Sequence, residues 1–158
     1  AIAPYLVGRD MEIWLEPGRA IVGNAGILLT KIEYLKPTPA KNFAIVDAAM
    51  TELIRPALYE AWHRVLPVIQ HDADITETQN WDIVGPVCES GDILAQDRDL
   101  ALQDGDYMAF ASAGAYGFVM SSNYNTRPRP PELLIDAGVV RVIRERETLE
   151  YLLSLENF

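Results

Sequence analysis

The chain has 158 residues, of which 49% are hydrophobic and 23% charged, a composition that predicts one soluble globular domain with a sizeable core. Its net charge of −10, from 13 basic and 23 acidic residues, disfavours a nucleic-acid partner, because such a partner needs a basic face. No apolar run is long enough to cross a bilayer, so we expect no membrane partner either.

The chain begins with Ala1 instead of Met and without a signal peptide, so we expect a processed, tagged or partial chain. Its single cysteine, Cys88, cannot form an internal disulfide, and with no export signal the expected location is the reducing cytoplasm. The two histidines, His63 and His71, make no metal-ligand pattern with Cys88. We therefore predict no metal site.

Short apolar or alternating runs, separated by Pro and Gly, recur along the chain. They predict strands at residues 11–15, 27–35, 43–47, 64–69, 76–84 and 107–111, and two more segments, 132–136 and 139–143, around a turn at 137–138. The pattern indicates an all-β barrel or sandwich with short helices.

Helical signals in the chain are short. We expect one helical turn within 20–26 and a closing helix at 149–155 capped by Thr148. Residues 51–59 cannot form one continuous helix, because Pro56 interrupts them. The proline-rich segment 126–131 is expected to be a rigid extended linker.

The loop 85–92, Gly-Pro-Val-Cys-Glu-Ser-Gly-Asp, places Cys88 beside Glu89. Pro86 fixes its own φ and Gly91 can take a positive φ, so both side chains should lie on a tight turn. A thiol beside a carboxylate can move a proton, or the pair can meet an ammonium group. The alternative is that Cys88 is a small buried hydrophobe, as many free cysteines are.

A second motif, Glu16-Pro17-Gly18-Arg19, follows the first predicted strand. An outward N–H at Gly18 can bind a phosphate, and Arg19 can grip a phosphate or a carboxylate. The alternative is a β-turn with a solvated arginine.

Two more motifs carry a phenol. Arg55 and Tyr59 are four residues apart, so on a helix they share a face and can clasp an anion together. Tyr116 lies in Ala-Gly-Ala-Tyr-Gly, with a core tyrosine at a strand end as the alternative. The polar run 120–125, Met-Ser-Ser-Asn-Tyr-Asn, either caps a helix or lines a pocket.

In this order and wording, the motifs closely resemble the C-terminal portion of diaminopimelate decarboxylases. These belong to the fold-type III pyridoxal-phosphate decarboxylases, with the ornithine and arginine decarboxylases. The resemblance extends from about Pro4 to Ala137. It implies a mainly β fold: residues 1–26 as the last strand and phosphate loop of an otherwise missing pyridoxal-phosphate-binding (β/α)8 barrel, and residues 27–158 as a Greek-key-like C-terminal β-barrel with short helices.

The resemblance also implies a role for each motif. The cofactor, pyridoxal 5′-phosphate, would be bound by Glu16, Gly18, Arg19 and Tyr116. The substrate would be bound by Arg19, Arg55, Tyr59, Glu89 and Tyr116. Cys88 would be the catalytic proton donor, and Cys88 and Glu89 would reach the active site of the neighbouring subunit of a homodimer.

The implied reaction is the decarboxylation of meso-2,6-diaminopimelate to L-lysine, the last step of lysine biosynthesis. The family's cofactor-binding lysine lies upstream of the Glu-Pro-Gly-Arg motif, whereas Lys31, Lys36 and Lys41 follow it. We therefore expect these 158 residues to be inactive without the barrel part. Alternatives are a non-catalytic interaction or regulatory module of the family, a decarboxylase of another basic amino acid, and a generic small-molecule-binding β-barrel.

Overall fold

A computed structural model describes residues 2–71 and 76–157, and this part of the chain is mainly β. Its strands are β1 Leu28–Lys36, β2 Asn42–Val46, β3 Val65–Pro67, β4 Gln79–Val84, β5 Ile93–Leu100, β6 Tyr107–Phe110, β7 Glu132–Asp136 and β8 Val139–Arg144. Its helices are α1 Gly18–Val22, α2 Arg55–Tyr59 and α3 Leu149–Leu152, with 3₁₀ turns at Ala3–Tyr5, Gly23–Ala25, Phe118–Met120 and Tyr124–Thr126. None of these helices could cross a membrane.

Six strands form one sheet in the order β3-β6-β1-β2-β4-β5. Neighbouring strands are antiparallel, except that β2 and β4 are parallel. The two edge strands, β3 and β5, contact each other. Near them Arg98 donates a 3.4 Å hydrogen bond to the carbonyl of His63 and lies 4.8 Å from the ring of Trp62. The sheet is therefore a nearly closed barrel, which confirms the predicted fold class.

In β1 and β2 alternate residues fill the interior of the sheet, whereas β4 and β6 each bury three consecutive residues. The interior includes Thr30 and Ile32 of β1, Ala44 and Val46 of β2, and Met108 and Phe110 of β6, all at most 2% exposed. Burying a large apolar side chain stabilises a fold by about 1.5–3 kcal/mol, so this face dominates the stability. The alternation expected of a strand with one buried face is thus present in β1 and β2.

Strands β7 and β8 form a separate antiparallel hairpin. Its turn has Ala137 at φ 48° and Gly138 at φ 81°, the two positive φ values typical of a tight hairpin turn, so the predicted turn is confirmed. The side chains of β8 are exposed along its whole length. The hairpin thus adds no layer to the main core.

The predicted strand at 11–15 is wrong. These residues have no regular structure, and Trp14 is 86% exposed. An extended segment becomes a strand only when a neighbour pairs with its backbone, and no described strand does so here. The division of the chain at residue 26 stays a prediction.

Proline and threonine set two of the short helices. Residues 51–59 are not one helix, as expected, but Pro56 lies in the first turn of α2 and begins the helix instead of breaking it. Thr148 caps α3 by accepting a 3.1 Å hydrogen bond from the N–H of Tyr151, as predicted, although α3 ends earlier than expected.

Candidate active site

A close backbone contact brings the segment of Arg19 against the loop of Tyr116. The N–H of Gly114 donates to the carbonyl of Gly23 at 3.0 Å. A Cβ at Gly114 would collide with the carbonyl oxygen of Val22, so only glycine allows this approach. Gly114, one of the glycines beside Tyr116, therefore has a specific use, which is to let these two segments approach closely.

Tyr116 has a φ of 59°, in the left-handed region, which costs a non-glycine residue about 1–3 kcal/mol. Tyr116 is 46% exposed, so the alternative of a core tyrosine is wrong. The guanidinium carbon of Arg19 lies 5.1 Å from the centre of the Tyr116 ring. Such a cation–π contact contributes about 0.5–1 kcal/mol at an exposed site.

Helix α2 adds Arg55 and Tyr59 to the same place. The guanidinium carbon of Arg55 lies 5.5 Å from the ring centre of Tyr59 and 5.9 Å from that of Tyr116. The predicted shared face of these two residues is confirmed. A cleft of about 340 Å³ is lined by Arg19, Arg55, Tyr59, Tyr116 and Met120.

The charge of the cleft is positive. Within the described part of the chain, neither Arg19 nor Arg55 has a carboxylate within 4 Å. Two guanidinium groups without a carboxylate partner, beside two phenols, favour a ligand with more than one anionic group. Glu16 and Gly18 are exposed and do not line this cleft.

The 85–92 loop is held by a buried carboxylate, that of Asp92. It accepts hydrogen bonds from the N–H of Met50 at 2.6 Å and of Val87 at 2.7 Å. A Cβ at Gly85 would collide with this carboxylate, so Gly85 is the glycine that the loop requires. The expectation for Gly91 is wrong, since its φ is not positive.

Cys88 is exposed on this loop, so the alternative of a buried hydrophobe is wrong. Next to it, the hydroxyl of Tyr124 donates a 3.2 Å hydrogen bond to Oε2 of Glu89. That bond and the negative charge of Glu89 raise the pKa of Tyr124. The sequence marked only the polar run 120–125, because no spacing rule links a tyrosine to a carboxylate 35 positions earlier.

The segment that carries Tyr124 is tied to the rest of the chain by Arg127. Its guanidinium donates to the carbonyl of Asp47 at 2.8 Å and to the hydroxyl of Thr51 at 3.2 Å. It also lies 3.4 Å from a carboxylate oxygen of Glu52. These bonds fix the end of the segment against the turn that follows β2.

A second tie joins this segment to the stretch between β8 and α3. Glu147 accepts hydrogen bonds from Nε of Arg129 and from the amide of Asn123, both at 2.7 Å. Chiefly through the bond from Arg129, they lower the pKa of Glu147 to about 2.

The two groups of predicted residues remain separate within one chain. Neither Cys88 nor Glu89 lines the arginine–tyrosine cleft, and no hydrogen bond among the described residues joins them to it. The structure thus brings together Arg19, Arg55, Tyr59 and Tyr116, and separately Cys88, Glu89 and Tyr124.

Comparison with known proteins connects the chain to one family. A family model described as "Pyridoxal-dependent decarboxylase, C-terminal sheet domain" matches residues 15–114. The match includes Arg19, Arg55, Cys88 and Glu89, and it ends two residues before Tyr116.

Similar proteins extend the match over nearly the whole chain. The diaminopimelate decarboxylase of Pseudomonas aeruginosa is 57% identical over 157 residues, which are 99% of this chain and 37% of that protein. The one of Vibrio cholerae is 56% identical over 94% of this chain and 35% of that protein. The crystal structure of the Helicobacter pylori enzyme with L-lysine superposes with a TM-score of 0.86 at 43% identity, over 98% of this chain and 38% of that one. The chain therefore spans a little over a third of the length of these relatives.

Proposed function

The chain belongs to the pyridoxal-dependent decarboxylase family as its C-terminal sheet domain, and on that premise we propose that it is part of a diaminopimelate decarboxylase. The proposed reaction converts meso-2,6-diaminopimelate to L-lysine and carbon dioxide. The observation that carries the proposal is the cleft, where Arg19, Arg55, Tyr59 and Tyr116 converge from three separate segments. The names of the relatives, at 56–57% identity, support the choice of substrate.

The residues present fit pyridoxal 5′-phosphate at one end of this cleft. Arg19 and Tyr116 would hold the cofactor from the cleft, and the exposed residues Gly18 and Glu16, which precede Arg19 in the chain, would add to its binding as the resemblance implies. The positive charge of Arg19, which has no carboxylate partner among the described residues, suits a phosphate. When bound, the cofactor withdraws electrons from the carbon that loses its carboxylate.

The substrate has two carboxylates and two amines, so the site must tell its two ends apart. Arg55 and Tyr59 lie on one helix face and would bind the distal carboxylate, while Glu89 would take the distal ammonium group. A site that pairs both distal charges would discriminate against plain lysine, because its own polar groups would be left unpaired.

Cys88 would donate the proton that replaces the departing carboxylate. We propose that Cys88 and Glu89 act in the cleft of a second copy in a homodimer, as the resemblance implies. Two features support this: Cys88 is exposed, and neither residue lines the cleft of its own chain. The cytoplasmic location stays a prediction.

The alternatives differ in what they would do with these residues. A non-catalytic module has no need for an exposed thiol beside a carboxylate, together with the four cleft residues. A decarboxylase of another basic amino acid would not need Arg55 and Tyr59 for a distal carboxylate. The cleft geometry therefore favours diaminopimelate over both.

The test is a chimera in which these 158 residues replace the matching part of the Pseudomonas aeruginosa enzyme. We expect lysine from meso-diaminopimelate and little product from ornithine or arginine. The 158-residue chain alone, given pyridoxal phosphate, should form no lysine, because none of its lysines matches the family's cofactor lysine. A chimera that binds the cofactor but decarboxylates nothing would favour the module, and a preference for ornithine or arginine would reject the substrate.

A further inference from the structure

Tyr124 is a polar residue beside Glu89 to which the family resemblance assigns no role. We propose that Tyr124 is a positioning residue for Glu89, holding one carboxylate oxygen so that the other is free to accept the distal ammonium group of the substrate. The inference rests on the proposed function, since it concerns the same substrate.

The first support is the geometry of the carboxylate. The hydroxyl of Tyr124 donates to Oε2 of Glu89 at 3.2 Å, and Oε1 has no hydrogen-bond partner among the described residues. A free glutamate has three rotatable bonds, and fixing them when the ligand arrives costs binding free energy. A hydrogen bond already made to one oxygen lowers that cost and leaves the second oxygen as acceptor.

The second support is that hydrogen bonds hold the backbone on both sides of this contact, at the loop of Glu89 and at the turn after Tyr124. On one side, Asp92 holds the loop of Glu89 through the N–H groups of Met50 and Val87. Glu89 is itself part of that loop's bonding, since its carbonyl accepts the N–H of Asp92 at 3.0 Å. The loop therefore presents Glu89 from a backbone that is bonded within itself and to the turn after β2.

On the other side, the two residues after Tyr124 adopt a rarely used backbone conformation. Asn125 and Thr126 have φ values of 57° and 56°, in the left-handed region that non-glycine residues seldom enter. Such a turn persists only where its surroundings hold it, and here Arg127 holds it through Asp47 and Thr51. The turn gives the phenol of Tyr124 a defined position.

The test uses the active chimera and compares two substrates. Tyr124→Phe removes only the hydroxyl, and we expect it to raise KM for meso-diaminopimelate about 10-fold with kcat nearly unchanged. KM for 2-aminopimelate, which lacks the distal amine, should not move. In a Glu89→Gln background, Tyr124→Phe should add no further increase in KM, because its effect passes through Glu89.

A readout that needs no cofactor follows the phenol of Tyr124 by NMR in the 158-residue chain. Glu89→Gln should lower the pKa of Tyr124 towards its ordinary value. Tyr34→Phe is the matched control, because Tyr34 is exposed and its hydroxyl has no hydrogen-bond partner in residues 2–71 and 76–157. Tyr34→Phe should change neither KM for meso-diaminopimelate nor the pKa of Tyr124.

Three outcomes would overturn the proposal: equal effects of Tyr124→Phe on both substrates, a full effect that persists in the Glu89→Gln background, or a Tyr124 pKa that ignores Glu89→Gln. A chimera that does not act on diaminopimelate would instead reject the proposed function. The NMR titration would then still decide whether Tyr124 and Glu89 are bonded.

Discussion

The two groups of site residues are built in different ways. The arginine–tyrosine cleft is assembled from three segments, with Gly114 bringing two of them into contact. Its positive charge comes from Arg19, which is exposed, and Arg55, which is half-buried. The thiol loop, residues 85–92, is one short segment held by hydrogen bonds to the buried carboxylate of Asp92. The cleft thus depends on long-range packing, whereas the loop depends on local hydrogen bonds and one buried anchor.

Under the proposed function, this difference assigns substrate binding to the cleft and proton transfer to the loop. Arginines without a carboxylate partner in a cleft are suited to hold anionic groups, and their loss should weaken binding. An exposed thiol on a fixed loop is suited to transfer a proton, and its loss should slow the reaction. The following predictions use the chimera unless stated otherwise, and they run from the largest expected effect to the smallest.

Replacing Cys88 by alanine tests the loop. Cys88→Ala removes the proposed proton donor, so kcat should fall about 10²- to 10⁴-fold with little change in KM. Steady-state rates of lysine formation measure this split. Ser90→Ala, on the same loop and exposed, is the control and should leave both constants unchanged. A Cys88→Ala enzyme with normal kcat would remove the thiol from the mechanism.

Replacing Arg55 by alanine tests the cleft. Arg55→Ala leaves the distal carboxylate without its charged donor, which costs about 1.5–3 kcal/mol and should raise KM about 10- to 100-fold while kcat changes less. Arg141→Ala, on the exposed hairpin, is the matched control. If Arg55→Ala lowered kcat and left KM alone, the assignment of binding to the cleft would be reversed.

The ion pair between Arg129 and Glu147 tests how the segment of Tyr124 is held. The pKa of Glu147 is about 2, against an ordinary 4.5, so its contribution to stability is full above pH 4.5 and is lost as the pH falls towards 2. Glu147→Gln in the 158-residue chain should cost about 1–2 kcal/mol at neutral pH. The difference in Tm from the unmodified chain should vanish between pH 4.5 and 2. Glu145→Gln is the control, and a constant difference at all pH values would contradict the pairing.

The sequence predicted the sheet better than the site. Alternation placed β1, where burial on one face repeats every two positions, and short apolar runs between turn residues placed β2 and β6. It failed at 11–15, where the pattern was present but no partner strand pairs with it. The confirmed strands show that an alternating or apolar run forms a strand only where a neighbouring strand pairs with its backbone.

Pairs within the site were predictable where the chain itself sets the distance. Arg55 and Tyr59 are one helical turn apart, and Cys88 and Glu89 are adjacent. The pairing of Tyr124 with Glu89 was not, since it depends on how a turn with two left-handed residues packs on a distant loop. The motif resemblance identified the cleft residues, and the structure shows the glycine contact that brings two of their segments together.

The anchoring of the thiol loop has a consequence for assembly. Asp92 ties the loop to the turn after β2, so hydrogen bonds within the folded chain already hold the backbone that carries Cys88 and Glu89. The conformational entropy of that loop is lost when the chain folds, so forming the proposed homodimer would not have to order it again. In the proposed homodimer, the partner would therefore meet Cys88 and Glu89 on a loop that is already ordered. The free energy of association would then contribute to the affinity of the dimer and not be offset by ordering this loop.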